Sequence, residues 1–182
     1  QGPVFFRVYD WKQSKLKHVI EPEFEFRYAT KVTNRDRLVQ VDYFDYPSYS
    51  YAGFSLTSRL LSKGSGSKDS AGELLTYRIS QEYYFDAAEA SFFRKIDGKY
   101  ASFSELNNTL RVRPSSHFAF DASLVYNYYI HGLSRLNLRV SYDRQDAPLT
   151  GSLSYSTYRN PYTGADYVFN RSMLGCGFNC SL

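Results

Sequence analysis

The sequence predicts an all-β fold, an antiparallel up-and-down transmembrane β-barrel or part of one, and three observations lead there. Aromatic residues are dense, with 18 Tyr and 14 Phe among 182 residues, yet the mean hydropathy is −0.46, a value typical of water-soluble chains. Apolar and polar residues alternate with period two over long segments, and the connections between those segments alternate between compact and long. A barrel wall accounts for all three: alternate residues face lipid and lumen, so any window averages to polar although one face is apolar.

The first alternating element begins at Ile20. Ile20, Pro22, Phe24, Phe26, Tyr28 and Thr30 take one side, and Glu21, Glu23, Glu25, Arg27, Ala29 and Lys31 take the other, with all the charge on that second side. From Glu73, the residues Leu75, Tyr77, Ile79, Tyr83 and Phe85 oppose Leu74, Thr76, Arg78, Ser80, Glu82 and Tyr84. Between Glu105 and Pro114, Leu106, Leu110 and Val112 oppose Glu105, Asn107, Thr109, Arg111 and Arg113, with Asn108 a misfit on the apolar side. Phe118, Phe120, Ala122, Leu124, Tyr126, Tyr128 and Ile130 then oppose Asp121, Ser123 and Asn127. After Gly132, Leu136, Leu138, Val140 and Tyr142 face away from Arg135, Asn137, Arg139, Ser141 and Asp143, and Leu149, Leu153 and Tyr155 repeat the theme against Ser152, Ser154 and Ser156.

Segment length makes the pattern specific. Globular strands run to about 5–6 residues, whereas a tilted strand needs about 9–11 to cross a bilayer, and these segments match the second figure. Helix is excluded because an i, i+2 pattern spreads apolar residues around a period of 3.6 and leaves no buried stripe. No run of about 18 apolar residues exists to form a membrane helix, which says nothing about strands. The expectation is one domain over residues 1–182, an incomplete barrel of about nine to ten long strands joined as hairpins.

Pro114-Ser115-Ser116-His117 and Gln145-Asp146-Ala147-Pro148 have compact turn chemistry and belong on one rim. The Gly- and Ser-rich join from Lys63 to Ala71 belongs on that rim as well, and the longer joins, Val32 to Ser48 and Ala87 to Ser104, on the opposite one. Tyr28, Tyr83, Tyr84, Tyr128, Tyr129, Tyr155 and Tyr158 fall near expected strand ends, where amphipathic rings form aromatic girdles. The lipid-facing set is then Phe24, Phe26, Leu75, Ile79, Phe118, Phe120, Leu124, Leu136, Leu138 and Val140.

Several short motifs, in order, resemble one family. His18-Val19-Ile20-Glu21-Pro22, running into Glu23-Phe24-Glu25-Phe26-Arg27-Tyr28, is similar to the L/I-E-P-x-x-x-Y strand of the LptD family of outer-membrane lipopolysaccharide-assembly proteins. Gly53-Phe54-Ser55-Leu56-Thr57-Ser58-Arg59-Leu60 resembles its G-x-T-S-R strand, and Ile79-Ser80-Gln81-Glu82-Tyr83-Tyr84-Phe85 its G-Q-x-Y-Y-F strand. Asp121 to Tyr126 and Leu136 to Tyr142 fit the hairpins that follow, so the resemblance extends from about Tyr9 to about Asn170. It implies lipopolysaccharide as substrate, a location in the bacterial outer membrane, a lipoprotein plug of the LptE kind, and periplasmic bridge proteins engaged through an N-terminal jelly-roll. Neither that jelly-roll nor the seam strands of the barrel are recognised in this stretch, which reads as an internal piece acting as barrel wall without catalysis. A generic porin or adhesin barrel and an outer-membrane barrel enzyme are the alternative readings.

The remaining chemistry-bearing residues are sparse. The formal charge of +4 comes from Lys and Arg spread singly among carboxylates, which gives no footprint for nucleic acid. His18, His117 and His131 lack the spacing of a metal site, no cofactor motif is visible, and a scattered pair such as His131 with Asp143 carries no nucleophile motif. Cys176 and Cys180 share one face of an extended strand about 13 Å apart, too far for a direct bridge. Their position does not match the C-terminal pair that family members bridge to the N-terminal domain, so they read as lipid-facing or unpaired residues. Arg111, Arg113, Arg135 and Arg139 are the candidates for meeting lipopolysaccharide phosphates in the lumen, because a guanidinium binds phosphate through two parallel hydrogen bonds.

Overall fold

A computed structural model of the chain describes residues 2–11, 14–29, 50–64, 72–87, 95–96, 99–143, 149–159 and 170–180. The strands among the described residues are β1 (Phe5–Trp11), β2 (Ser14–Arg27), β3 (Tyr51–Gly64), β4 (Gly72–Tyr84), β5 (Lys95–Ile96), β6 (Lys99–Tyr100), β7 (Leu106–Val112), β8 (Phe118–Asn127), β9 (Gly132–Tyr142), β10 (Leu149–Arg159) and β11 (Asn170–Cys180). Nine of them form a single antiparallel sheet in chain order, β1-β2-β3-β4-β7-β8-β9-β10-β11, and β5 with β6 makes a separate two-stranded hairpin. The sheet is open between β1 and β11 among the described residues. The turns expected at 32–48, 65–71 and 145–148 lie outside the described residues.

β2 and β3 are 14 residues each and β4 is 13, while β9, β10 and β11 are 11 and β8 is 10. These are membrane-crossing lengths rather than globular ones. β7 has only 7 residues, but the pairing of β4 continues upstream of it, where Tyr83 bridges Phe103 and Ser104 N donates to Glu82 O at 2.8 Å.

Register turns the alternation into rows across the sheet. One apolar row reads Ile20, Ser58, Tyr77, Leu110, Ala122, Leu138, Tyr155 and Leu174 from β2 to β11. The row on one side of it holds Leu60, Leu75, Val112, Phe120, Val140 and Leu153, and the row on the other holds Leu56, Ile79, Asn108, Leu124 and Leu136. Phe24 pairs with Phe54, Phe26 with Ala52 and Phe118 with Tyr142, extending the same face toward its two rims. All ten residues expected on an apolar face therefore share one.

No second layer covers that face among the described residues. Phe24 is 72% exposed, Leu174 75% and Phe178 76%, whereas the buried apolar residues among those described are Val19, Tyr51, Tyr84, Ala101 and Val125. A soluble sheet would expel such a surface from water against helices or a second sheet.

Several polar residues on the apolar face are satisfied locally. The Tyr77 hydroxyl donates to Asn108 Oδ1 at 2.7 Å, His18 Nε2 lies 2.8 Å from Ser58 Oγ, and Gln81 Nε2 donates to the Ser104 carbonyl at 3.1 Å. A sheet surrounded by hydrocarbon needs such pairing, since an unsatisfied polar group there costs several kcal/mol. Asn108, a misfit in the alternation, is thus the acceptor that lets Tyr77 sit on this face.

The tyrosines divide differently from the girdle expectation. Tyr83 stacks edge-on with Phe85 at 5.4 Å and lies 5.0 Å from Phe103, and Phe26 meets Phe85 at 5.8 Å, forming an aromatic cluster at the rim of the long connections. Tyr84, however, is buried on the opposite face with its hydroxyl donating to Glu82. Tyr158 pairs with Arg135 on that same charged face, and Tyr155 lies mid-strand between Leu138 and Leu174. Tyr128 and Ile130 continue the apolar alternation in sequence, but β8 ends at Asn127 and they belong to its turn.

Candidate functional site

The charged face is built by the residues that alternate with the apolar rows. One of its rows, toward the compact turns, runs Arg59, Thr76, Arg111, Asp121, Arg139, Ser154 and Gly175. The next is Glu21, Thr57, Arg78, Thr109, Ser123, Asn137, Ser156 and Met173, and a third is Glu23, Ser55, Ser80, Asn107, Val125, Arg135, Tyr158 and Arg171. Acidic groups gather toward β2 and β4, and β8 to β11 hold Asp121 as their sole carboxylate against Arg135, Arg139 and Arg171 on this face, Arg159 having the parity of the apolar one.

The four arginines expected to act together fall into separate places. Arg111 and Arg139 flank Asp121 on adjacent strands, and Arg111 Nε donates to Asp121 Oδ1 at 2.7 Å. One carboxylate between two guanidiniums leaves net positive charge, and among the described residues Arg139 has no ion pair. These three line an open concavity of about 400 Å³ together with Thr76, Ser123 and Asn137, and the Thr76 hydroxyl there is buried without a hydrogen-bond partner. Arg113 lies just past the end of β7, its backbone N donating to Leu74 O at 2.7 Å. Its side chain borders a different concavity, at the turn with Pro114, His117 and Asp143. Arg135 is four residues from Arg139 along β9, roughly 13 Å at the rise of an extended strand; its guanidinium carbon lies 5.5 Å from the Tyr158 ring centroid.

Toward β2 the face carries a second, acidic concavity of about 330 Å³ lined by Glu23, Glu25, Glu82, Glu105 and Arg78. Arg78 donates to Glu23 at 3.2 Å, Tyr51 to Glu25 at 2.6 Å, and Ser55 to Glu23 at 3.0 Å. Half-exposed pairs of this kind contribute at most about 1 kcal/mol each, so their role is to set side-chain positions on a wet surface. His131 and Asp143, the scattered pair noted in the sequence, sit at opposite ends of β9 and do not meet. Cys176 is an exposed free thiol that pairs with Leu153, and Cys180 pairs with Leu149.

A long two-faced antiparallel sheet, one face apolar and uncovered and the other charged, is the outer-membrane barrel pattern. The family model for LptD, LPS transport system D, matches residues 2–173. The chain belongs to the LptD family. No curated protein and no solved structure matches it. Membership places this chain in the outer membrane, in lipopolysaccharide transport, with lipopolysaccharide as the substrate of the system it serves. Sequence reasoning did not single out Arg171 or Thr76 and read Tyr158 as a girdle residue, because nothing in the linear order ties them to the chosen arginines; only strand register does.

Proposed function

We propose that this chain of the LptD family forms part of the wall of the lipopolysaccharide-inserting barrel, with the apolar rows toward lipid, the charged rows toward the lumen, and no catalytic step of its own. The single observation that carries the reading is the separation of the faces: ten apolar side chains from Phe24 to Val140 lie on one, and Arg111, Asp121, Arg135 and Arg139 lie on the other. Arginines on a hydrated wall, close to a passing lipid, suit its phosphate groups, and Arg111, Arg113, Arg135 and Arg139 take that role here. A lipoprotein plug of the LptE kind would pack against the same charged face, and periplasmic bridge proteins would deliver the lipid from below.

Replacing Arg111, Arg113, Arg135 and Arg139 together by Gln in the intact protein tests the contact. Photo-crosslinking of lipopolysaccharide to the charged face is expected to fall by about tenfold or more, the loss of several charge-assisted hydrogen bonds. Undiminished crosslinking would end this assignment.

A further inference from the structure

The third charged row ends in two arginines with a tyrosine between them. Arg135 on β9, Tyr158 on β10 and Arg171 on β11 are direct cross-strand partners. Adjacent strands are about 4.8 Å apart, so the two arginine Cα atoms stand roughly 10 Å from each other with the tyrosine between them. Arg135 already lies over the ring, its guanidinium carbon 5.5 Å from the centroid, an orientation favoured by attraction between a cation and the face of an aromatic ring. Arg171 is exposed and has no ion pair among the described residues. The neighbouring row contributes Asn137, Ser156 and Met173, none of them charged. Asp121, the sole carboxylate of β8 to β11, is on the row of Arg139 and bonded to Arg111.

We infer that Arg135 and Arg171, bracketing Tyr158, form a phosphoryl-group site separate from the Arg111–Asp121–Arg139 cluster. The inference rests on the wall reading and gives it a second station, on the half of the charged face nearer the β8–β9 and β10–β11 connections. Two arginine side chains at this separation can converge over the ring, and each guanidinium offers a planar pair of donors to the tetrahedral oxygens. The tyrosine orients Arg135 and excludes water beneath it, and its hydroxyl is a third donor. The two stations are roughly 13 Å apart along the strands, so a glycolipid bearing more than one phosphate engages them in turn or together.

The test uses the intact protein in outer-membrane vesicles, with a photo-reactive residue at Ser156, beside the proposed site, or at Ser154, beside Arg139. Arg135→Gln with Arg171→Gln is expected to lower lipopolysaccharide crosslinking from position 156 by about tenfold while position 154 keeps its signal. Tyr158→Leu lowers it several-fold, and Arg135→Lys does not restore it, because a point charge lacks the planar fork. Enzymatic removal of the lipopolysaccharide phosphates should reproduce the loss at position 156. Millimolar inorganic phosphate as competitor separates the sources: crosslinking that survives it marks a site for lipid-borne phosphate, and crosslinking that it abolishes marks one that also takes the free ion. Unchanged crosslinking at position 156 in the double variant, or with dephosphorylated lipid, overturns the site while leaving the wall reading intact. Absence of crosslinking from both positions in the parent protein overturns both.

Discussion

Leu138→Arg is expected to destabilise the folded, membrane-inserted protein by about 2–4 kcal/mol, the cost of an arginine on the lipid face near the bilayer midplane. Leu138 sits on the middle apolar row, between Ala122 of β8 and Tyr155 of β10, with apolar rows on either side. An arginine there has several rungs of apolar surface to cross before its head reaches either interface. Asn137 is one residue away and points to the other face, in line with Ser123 and Ser156. Asn137→Arg is therefore expected to change stability by no more than about 0.5 kcal/mol, as for an ordinary exposed substitution. The cost at position 138 alone corresponds to roughly 30-fold to 1,000-fold in the folded ratio, against about twofold at position 137. It is read from equilibrium folding into thin lipid vesicles, with heat-modifiable gel mobility reporting the folded fraction. Equal costs at both positions would mean that the apolar face does not meet lipid.

The period-two pattern was legible from the sequence because a strand has only two faces, and one slip of register would have exposed every charge to lipid. Residues such as Phe120, Leu138 and Val140 could be assigned to a face without knowing their neighbours. Neighbour relations across strands were a different matter. Arg111 and Arg139 are 28 residues apart in the chain and meet only because Asp121 is the partner of both. Arg135 looks equivalent to Arg139 in sequence, yet it belongs with Tyr158 and Arg171. Tyrosine position failed for a related reason. An amphipathic ring near a strand end suits a girdle, but Tyr84 and Tyr158 have the parity of the charged face, and their hydroxyl or ring serves Glu82 and Arg135 instead. Bulges were invisible too: β9 holds an extra residue opposite Val125 and Tyr126, leaving Ser134 buried with its hydroxyl donating to Val125 O at 3.4 Å.

Asn127→Leu carries the other large expected effect, for a reason no alternation pattern reveals. In the alternation Asn127 is merely a polar residue on the charged side, yet it is fully buried, at 0% exposure, and it organises the turn that ends β8. Its Oδ1 accepts from Tyr129 N at 2.9 Å and Ile130 N at 3.3 Å, and its Nδ2 donates to Glu105 Oε1 at 3.1 Å, tying the β8–β9 hairpin to the start of β7. The turn also holds His131 at φ 47°, a left-handed conformation that a non-glycine residue keeps only when its surroundings impose it. Leucine has similar bulk but removes all three bonds and leaves two backbone donors without their acceptor, at an expected cost of about 2–4 kcal/mol. Asn127→Asp keeps the acceptor for both turn amides and loses the donor to Glu105, setting two carboxylates against each other. Combining Asn127→Asp with Glu105→Gln reverses the direction of that bond, because the glutamine amide now donates to the aspartate, and most of the stability lost in the single Asp variant should return. The same vesicle-folding equilibrium measures all three. If the double variant is no more stable than the single one, the side chains of Asn127 and Glu105 do not meet in the folded protein, and the hairpin is held by its backbone ladder alone.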